Sequence, residues 1–138
     1  MTRAQCAPQL VCVDPVRIAE FWPHVVPLLK AAVARTDLNR FDEIESDVLA
    51  GRGLLWLAWS GRIEAAATTI LTDAEANKAC VLTACGGNDM RRWVTLLETI
   101  EAYARAEGCS RMRIFGRRGW QRVLENYHTT NIVLEKDL

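Results

Sequence analysis

The chain has little of what usually announces a chemistry. Only two histidines, His24 and His128, stand among its 138 residues, and the basic and acidic side chains balance at 17 each. That balance removes the electrostatic footprint of a general nucleic-acid binder, so any such contact has to be local. No apolar run approaches the roughly 20 residues that a membrane span needs, and the N-terminus lacks the charged, apolar and small-residue order of a secretory signal. A soluble, cytoplasmic protein is therefore expected. Internal repeats, low-complexity tracts and linkers are also lacking. With half of the residues hydrophobic and a quarter charged, residues 1–138 read as a single domain with a real core.

The five cysteines, Cys6, Cys12, Cys80, Cys85 and Cys109, are odd in number and match no zinc or redox spacing. No metal site is expected. Cys12, Cys80 and Cys109 lie in or beside apolar segments and read as small core residues. Cys85 differs, because it ends a strand at a glycine pair. A thiol nucleophile would need a base, and nothing in the sequence brings His24 or His128 near it.

Periodicity supplies the elements. Gln9 to Val13 reads as a strand, and Asp14-Pro15 as a helix start, since Asp caps and proline tolerates the first helical position. Ile18, Phe21, Trp22, Val25, Val26, Leu29 and Val33 make an apolar helical stripe, but Pro23 and Pro27 lack amide donors, so two short helices are expected there. Phe41 to Leu49 is a further helix ending near Gly51. Leu54 to Trp59, the Ser60-Gly61 turn and Ile63 to Leu71 form a hairpin. After a turn at Asp73 to Asn77 comes a strand from Lys78 to Ala84.

Residues 78–120 carry the most information. An apolar strand, a Gly86-Gly87 break, an amphipathic helix from Met90 to Glu107 and a strand from Arg111 to Phe115 make a βαβ unit. Small α/β proteins often seat a phosphate-bearing ligand at the carboxyl end of the first such strand. Gly86-Gly87-Asn88-Asp89 reads either as a turn and helix cap or as a nest of amides for an anion. Downstream, a short helix is expected from Trp120 to Asn126 and a last strand from Asn131 to Leu134. Arg111, Arg113, Arg117, Arg118 and Arg122 fall within a segment free of acids, with Trp120 among them. They form either a solvated basic face or a surface for the 3′-phosphate of a coenzyme, an acidic protein partner or a nucleic-acid backbone.

The element order resembles the GNAT superfamily of acyl-CoA N-acyltransferases over nearly the whole chain, most clearly in Leu96-Leu97-Glu98, Ala104-Arg105, Gly108-Cys109 and the strand that follows. The hairpin with Trp56, Ser60 and Gly61 is similar to the family's second and third strands. Gly119-Trp120 and the Leu134 to Leu138 ending look like small GNAT-like proteins encoded in phage genomes. The resemblance implies an α/β fold: a GNAT-like mixed sheet with antiparallel N-terminal strands, a central βαβ crossover and flanking helices. It also implies acetyl-CoA as cofactor and a small amine as acceptor.

The family places Q/R-x-x-G-x-G/A at the start of its central helix, so that the coenzyme pyrophosphate can approach backbone amides. Here Asn88, Arg91 and Trp93 fall on the three motif positions. Gly86, Gly87, Asn88, Asp89 and Arg91 are thus the candidate coenzyme residues, with Trp93 filling space and Asp89 repelling phosphate. For catalysis the resemblance offers Tyr127 as a thiolate-protonating acid and Glu64 as a base. The blander alternatives are packing for the first and a solvated strand position for the second. Two functions follow. One is an acyltransferase with a degenerate coenzyme loop. The other is a catalytically inactive binding or structural protein, cytoplasmic or part of a phage virion or host-takeover complex, contacting its partner through Arg117, Arg118, Trp120 and Arg122. The expected partner is a protein, a small amine or a second copy of the chain.

Overall fold

Asp14 accepts a hydrogen bond from the Val16 amide at 3.1 Å, and Pro15 opens a single 3-10 turn that leads directly into the first long helix. The structure, a computed structural model, describes residues 6–74 and 77–138. Its elements are β1 (Gln9–Cys12), α1 (Ile18–Thr36), α2 (Phe41–Leu49), β2 (Gly53–Trp59), β3 (Ile63–Ala74), β4 (Asn77–Gly87), α3 (Leu97–Ala106), β5 (Arg111–Ile114) and α4 (Gly119–Val123). The strands lie in chain order in one five-stranded sheet. The first four pair antiparallel, and β5 runs parallel to β4, as the crossover reading requires. The mixed α/β sheet with flanking helices is therefore as expected.

Alternation in the strands sorts the core into two layers. Leu55, Leu57, Ala66 and Ala84 face α1 and α2, where they meet Val25, Leu29, Ile44 and Val48. Trp56, Ala67, Cys80 and Leu82 face the other way and pack on Leu97, Ile100 and Ala104 of α3. Each layer is tied by an indole: Trp22 donates to Glu45 at 2.7 Å, joining α1 to α2, and Trp56 donates to the buried Thr69 hydroxyl at 2.9 Å.

Several expectations need correction. The two prolines do not divide α1, which is continuous through Pro23 and Pro27. Both are exposed, so the carbonyls they leave unpaired face water, while the buried stripe Ile18, Trp22, Val25 and Leu29 holds the helix to the sheet. The helix expected from Met90 becomes two 3-10 turns, Met90–Arg92 and Val94–Leu96, before α3 begins at Leu97. Asp89 does not cap it: its backbone is left-handed, at φ 52°, and its side chain makes no capping bond. Gly86 and Gly87 do not form a turn either. They end β4, opposite Ala66 and Ala65 of β3. The short helix stops at Val123, and Asn131 to Leu134 forms no strand. Cys12 is exposed on the edge strand instead of in the core. Of the turn expected at Asp73 to Asn77, Asp73 belongs to β3 and Asn77 to β4, and residues 75 and 76 lie outside the described residues. No described helix is long and apolar enough to cross a membrane.

Candidate functional site

The site begins with a fault in β4. Thr68 of β3 faces Ala84 and Thr69 faces Leu82, so Thr83 is an extra residue in the ladder, a β-bulge. The bulge is well held. The hydroxyls of Thr83 and Thr68 lie 2.7 Å apart, the Thr83 hydroxyl also donates to the Thr68 carbonyl at 3.1 Å, and Asn39 donates to the Thr83 carbonyl at 3.0 Å. Parallel pairing of β4 with β5 ends at Leu82 opposite Ile114, one residue before the bulge. Past that point the two strands part.

A cavity of about 150 Å³ opens where they part. One wall is β4 from Leu82 to Gly87, and the other is Ile114 to Arg117. The last turns of α1 supply Ala32, Val33, Arg35 and Thr36, and the indoles of Trp93 and Trp120 close the side toward α3. Among the described residues, the only charged side chains in this lining are Arg35 and Arg117. A cleft with two guanidinium groups and no carboxylate favours an anionic or strongly electron-rich ligand.

The two indoles stand at 6.4 Å between ring centres, tilted by 58°. Trp93 is only 4% exposed, and its Nε1 donates to the Asn88 carbonyl at 2.8 Å, which closes the segment between β4 and α3 on itself. Trp120 lies over Gly116, where a methyl group would meet the indole at 2.5 Å. The glycines of β4 serve the same kind of close approach. A side chain at Gly86 would strike the Leu28 carbonyl oxygen at 2.5 Å, and one at Gly87 would strike Ala65 at 2.5 Å. The Asn88 amide is also engaged, donating to the Glu64 carbonyl at 3.1 Å.

The structure thus divides the residues singled out from sequence. Gly86 and Gly87 meet Arg117 and Trp120 at the cleft, whereas Asn88, Asp89, Arg91, Arg118 and Arg122 lie outside its lining. Glu64 is not a solvated strand position. Its side chain is 3% exposed and ion-paired with Arg92. Hydrogen bonds from Arg92 and then Ser60 hold its carboxyl at about 2, far below the usual range. A carboxylate held this firmly is a poor proton acceptor. Tyr127 donates to Glu101 of α3 at 2.6 Å, and burial, with that bond second, raises its pKa well above the ordinary phenol value. Both its position outside the lining and its retained proton suit packing better than proton delivery. Cys85 lines the cleft, but burial pushes its thiol up to about 12, so it is no thiolate.

Sequence reasoning missed Thr83, Thr68, Asn39 and Arg35. A threonine inside an apolar strand was the one available signal, because a bulge needs an extra residue whose polar groups find partners off the ladder. Among the described residues, no group of three His, Cys, Asp or Glu side chains converges as a metal site would require.

No protein-family model matches the sequence, and no curated protein matches it. Solved structures do match in fold. A predicted acetyltransferase with acetyl-CoA from Clostridium acetobutylicum aligns at a TM-score of 0.63 and 12% identity, covering 94% of this chain and 96% of that one. An aminoglycoside acetyltransferase from an uncultured soil metagenomic sample, in complex with sisomicin, gives 0.69 at 8% identity, covering 95% of each. Ribosomal-protein-alanine N-acetyltransferase from Brucella melitensis gives 0.60 at 13% identity, covering 95% of this chain and all of that one. The chain has the fold of the GNAT acetyltransferases.

Proposed function

We propose that the chain is a GNAT-fold protein that acts by binding a partner and not by acyl transfer from coenzyme A. One observation carries this reading: Trp93, which the resemblance puts on a small-residue position of the family's pyrophosphate segment, is buried and its indole is fastened to the Asn88 carbonyl. The rest of the segment agrees. The space beside Gly86 and Gly87 is filled by Leu28 and Ala65, and the left-handed Asp89 places a carboxylate at the start of the 3-10 turn. These residues do not fit a pyrophosphate. The states of Glu64 and Tyr127 further support a protein without an acid-base pair.

The binding surface in this reading is the basic segment after β5, with Arg117, Arg118, Trp120 and Arg122, of which Trp120 is half-buried and the arginines are exposed. An acidic protein surface is the matching chemistry. A phage particle or host-takeover complex is the proposed setting, on the strength of the sequence resemblance.

A second reading has its own support. The parting of β4 and β5 at the Thr83 bulge, with Arg35 and Arg117 in the lining of the cleft, favours an acyl-CoA-dependent N-acyltransferase acting on an amine. Titration with acetyl-CoA separates the two. The binding reading expects no saturable heat at micromolar coenzyme, and the acyltransferase reading expects saturation that Trp93 does not prevent.

A further inference from the structure

Arg17, Arg40, Arg52, Arg92 and Arg105 each stand within 4.0 Å of a carboxylate of the chain. Arg35 and Arg117 do not. Among the described residues neither guanidinium makes an ion pair or a side-chain hydrogen bond, although both line the same cleft. No described carboxylate shares that lining, so the two positive charges have no counter-charge from the chain itself. A bound anion supplies one.

Size limits which anion. A cavity of about 150 Å³ holds one benzene-sized ring, whereas a nucleotide or a whole coenzyme is far larger. The walls then favour a ring over an aliphatic chain. Trp93 and Trp120 stand 6.4 Å apart and tilted by 58°, so a third ring set against them can meet one indole by its face and the other by its edge, the arrangements that aromatic quadrupoles prefer. Trp93 is held in that pose by its bond to the Asn88 carbonyl. The Trp120 indole N–H, beside Gly116 in the lining, has no hydrogen-bond partner among the described residues. It is a third donor for an anion.

We propose that the cleft is a binding site for a small aromatic carboxylate, its ring against Trp93 and Trp120 and its carboxylate taken by Arg35 and Arg117. A planar guanidinium matches a planar carboxylate through two parallel hydrogen bonds, which a neutral ring cannot accept in the same way. Inorganic phosphate matches the charge but leaves the indoles without a partner. An aliphatic acid forgoes the aromatic contacts. The inference goes beyond the partner-binding reading and does not rest on it, because Arg118 and Arg122 of that surface lie outside the cleft lining.

The test is calorimetric titration of the full chain with benzoate, beside benzamide, which lacks the charge, and acetate, which lacks the ring. Benzoate should saturate with a dissociation constant of about 0.1–1 mM, in keeping with so small a ligand, and should change the tryptophan fluorescence along the same curve. Benzamide and acetate should each bind about tenfold more weakly or not at all. Arg35→Ala/Arg117→Ala should weaken benzoate by about tenfold or more, with circular dichroism unchanged because both residues are exposed. The proposal is overturned by a benzoate affinity weaker than about 10 mM, by acetate or benzamide binding as well as benzoate, or by full benzoate affinity in the double variant. Any of these failures leaves the acetyl-CoA titration, and the reading it tests, as they stand.

Discussion

The α-carbon of Gly86 in β4 packs directly beneath the Leu28 carbonyl of α1, so close that a methyl group would sit 2.5 Å from that oxygen. The contact locks the long helix to the strand that forms the cleft wall. Gly86→Ala should therefore destabilise the fold by about 1–3 kcal/mol, the usual cost of overpacking. Gly119→Ala is the control, because nothing lies within 4 Å of that position. Denaturant midpoints measure both. Equal midpoints would mean that α1 does not press on β4.

Arg92 meets both carboxylate oxygens of Glu64, at 2.5 and 2.9 Å, and donates to the Cys6 carbonyl at 2.6 Å. A carboxyl whose folded pKa is depressed contributes stability that is complete above its unfolded value and is lost as pH falls. The window here runs from the ordinary 4.5 down to about 2. Stability measured against pH should fall across that window, and Glu64→Gln should flatten the fall. An identical slope in the variant would assign the acid sensitivity to other groups.

Much of this molecule is legible in its sequence, and the misses have local causes. The continuous apolar run of β2, the alanine and β-branched residues of β3 and the amphipathic pattern of the helix that follows β4 identify the sheet and the crossover helix. Pro23 and Pro27 mislead because local propensity carries no information on which side of a helix faces water. Gly86-Gly87 misleads in the opposite sense: the pair looks like a turn, but its use is the close approach of Leu28 and Ala65 to an extended strand. Trp93 is buried ahead of the crossover helix, and the two turns on either side of it are 3-10 and not α-helical. The Thr83 bulge, which opens the cleft, leaves no periodic trace, because one extra residue shifts register without changing composition.

Tyr127→Phe isolates the bond to Glu101. The variant should lose about 1 kcal/mol of stability, the net worth of a typical hydrogen bond, and thermal denaturation reads that loss. Any acyl transfer the chain performs should continue at an unchanged rate. A collapse of transfer activity with stability intact would restore Tyr127 as a proton donor.

Replacing Arg117, Arg118 and Arg122 together by Ala should leave the melting temperature nearly unchanged, because exposed charges contribute little to stability. Capture of the partner should weaken, and its dependence on salt should decrease. A triple variant that retains every native interaction would reduce the cluster to a solvated face.

The central claim rests on Trp93, and calorimetry of acetyl-CoA against the unmodified chain tests it most directly. The helix dipole offers an anion at most about 2 kcal/mol, part of which Asp89 opposes. The predicted dissociation constant is no better than about 1 mM, equivalent to about 4 kcal/mol. Asp89→Asn run beside it should gain little, since the indole still fills the space. Saturable binding in the micromolar range by the unmodified chain would contradict the account and return the cleft to an acyltransferase.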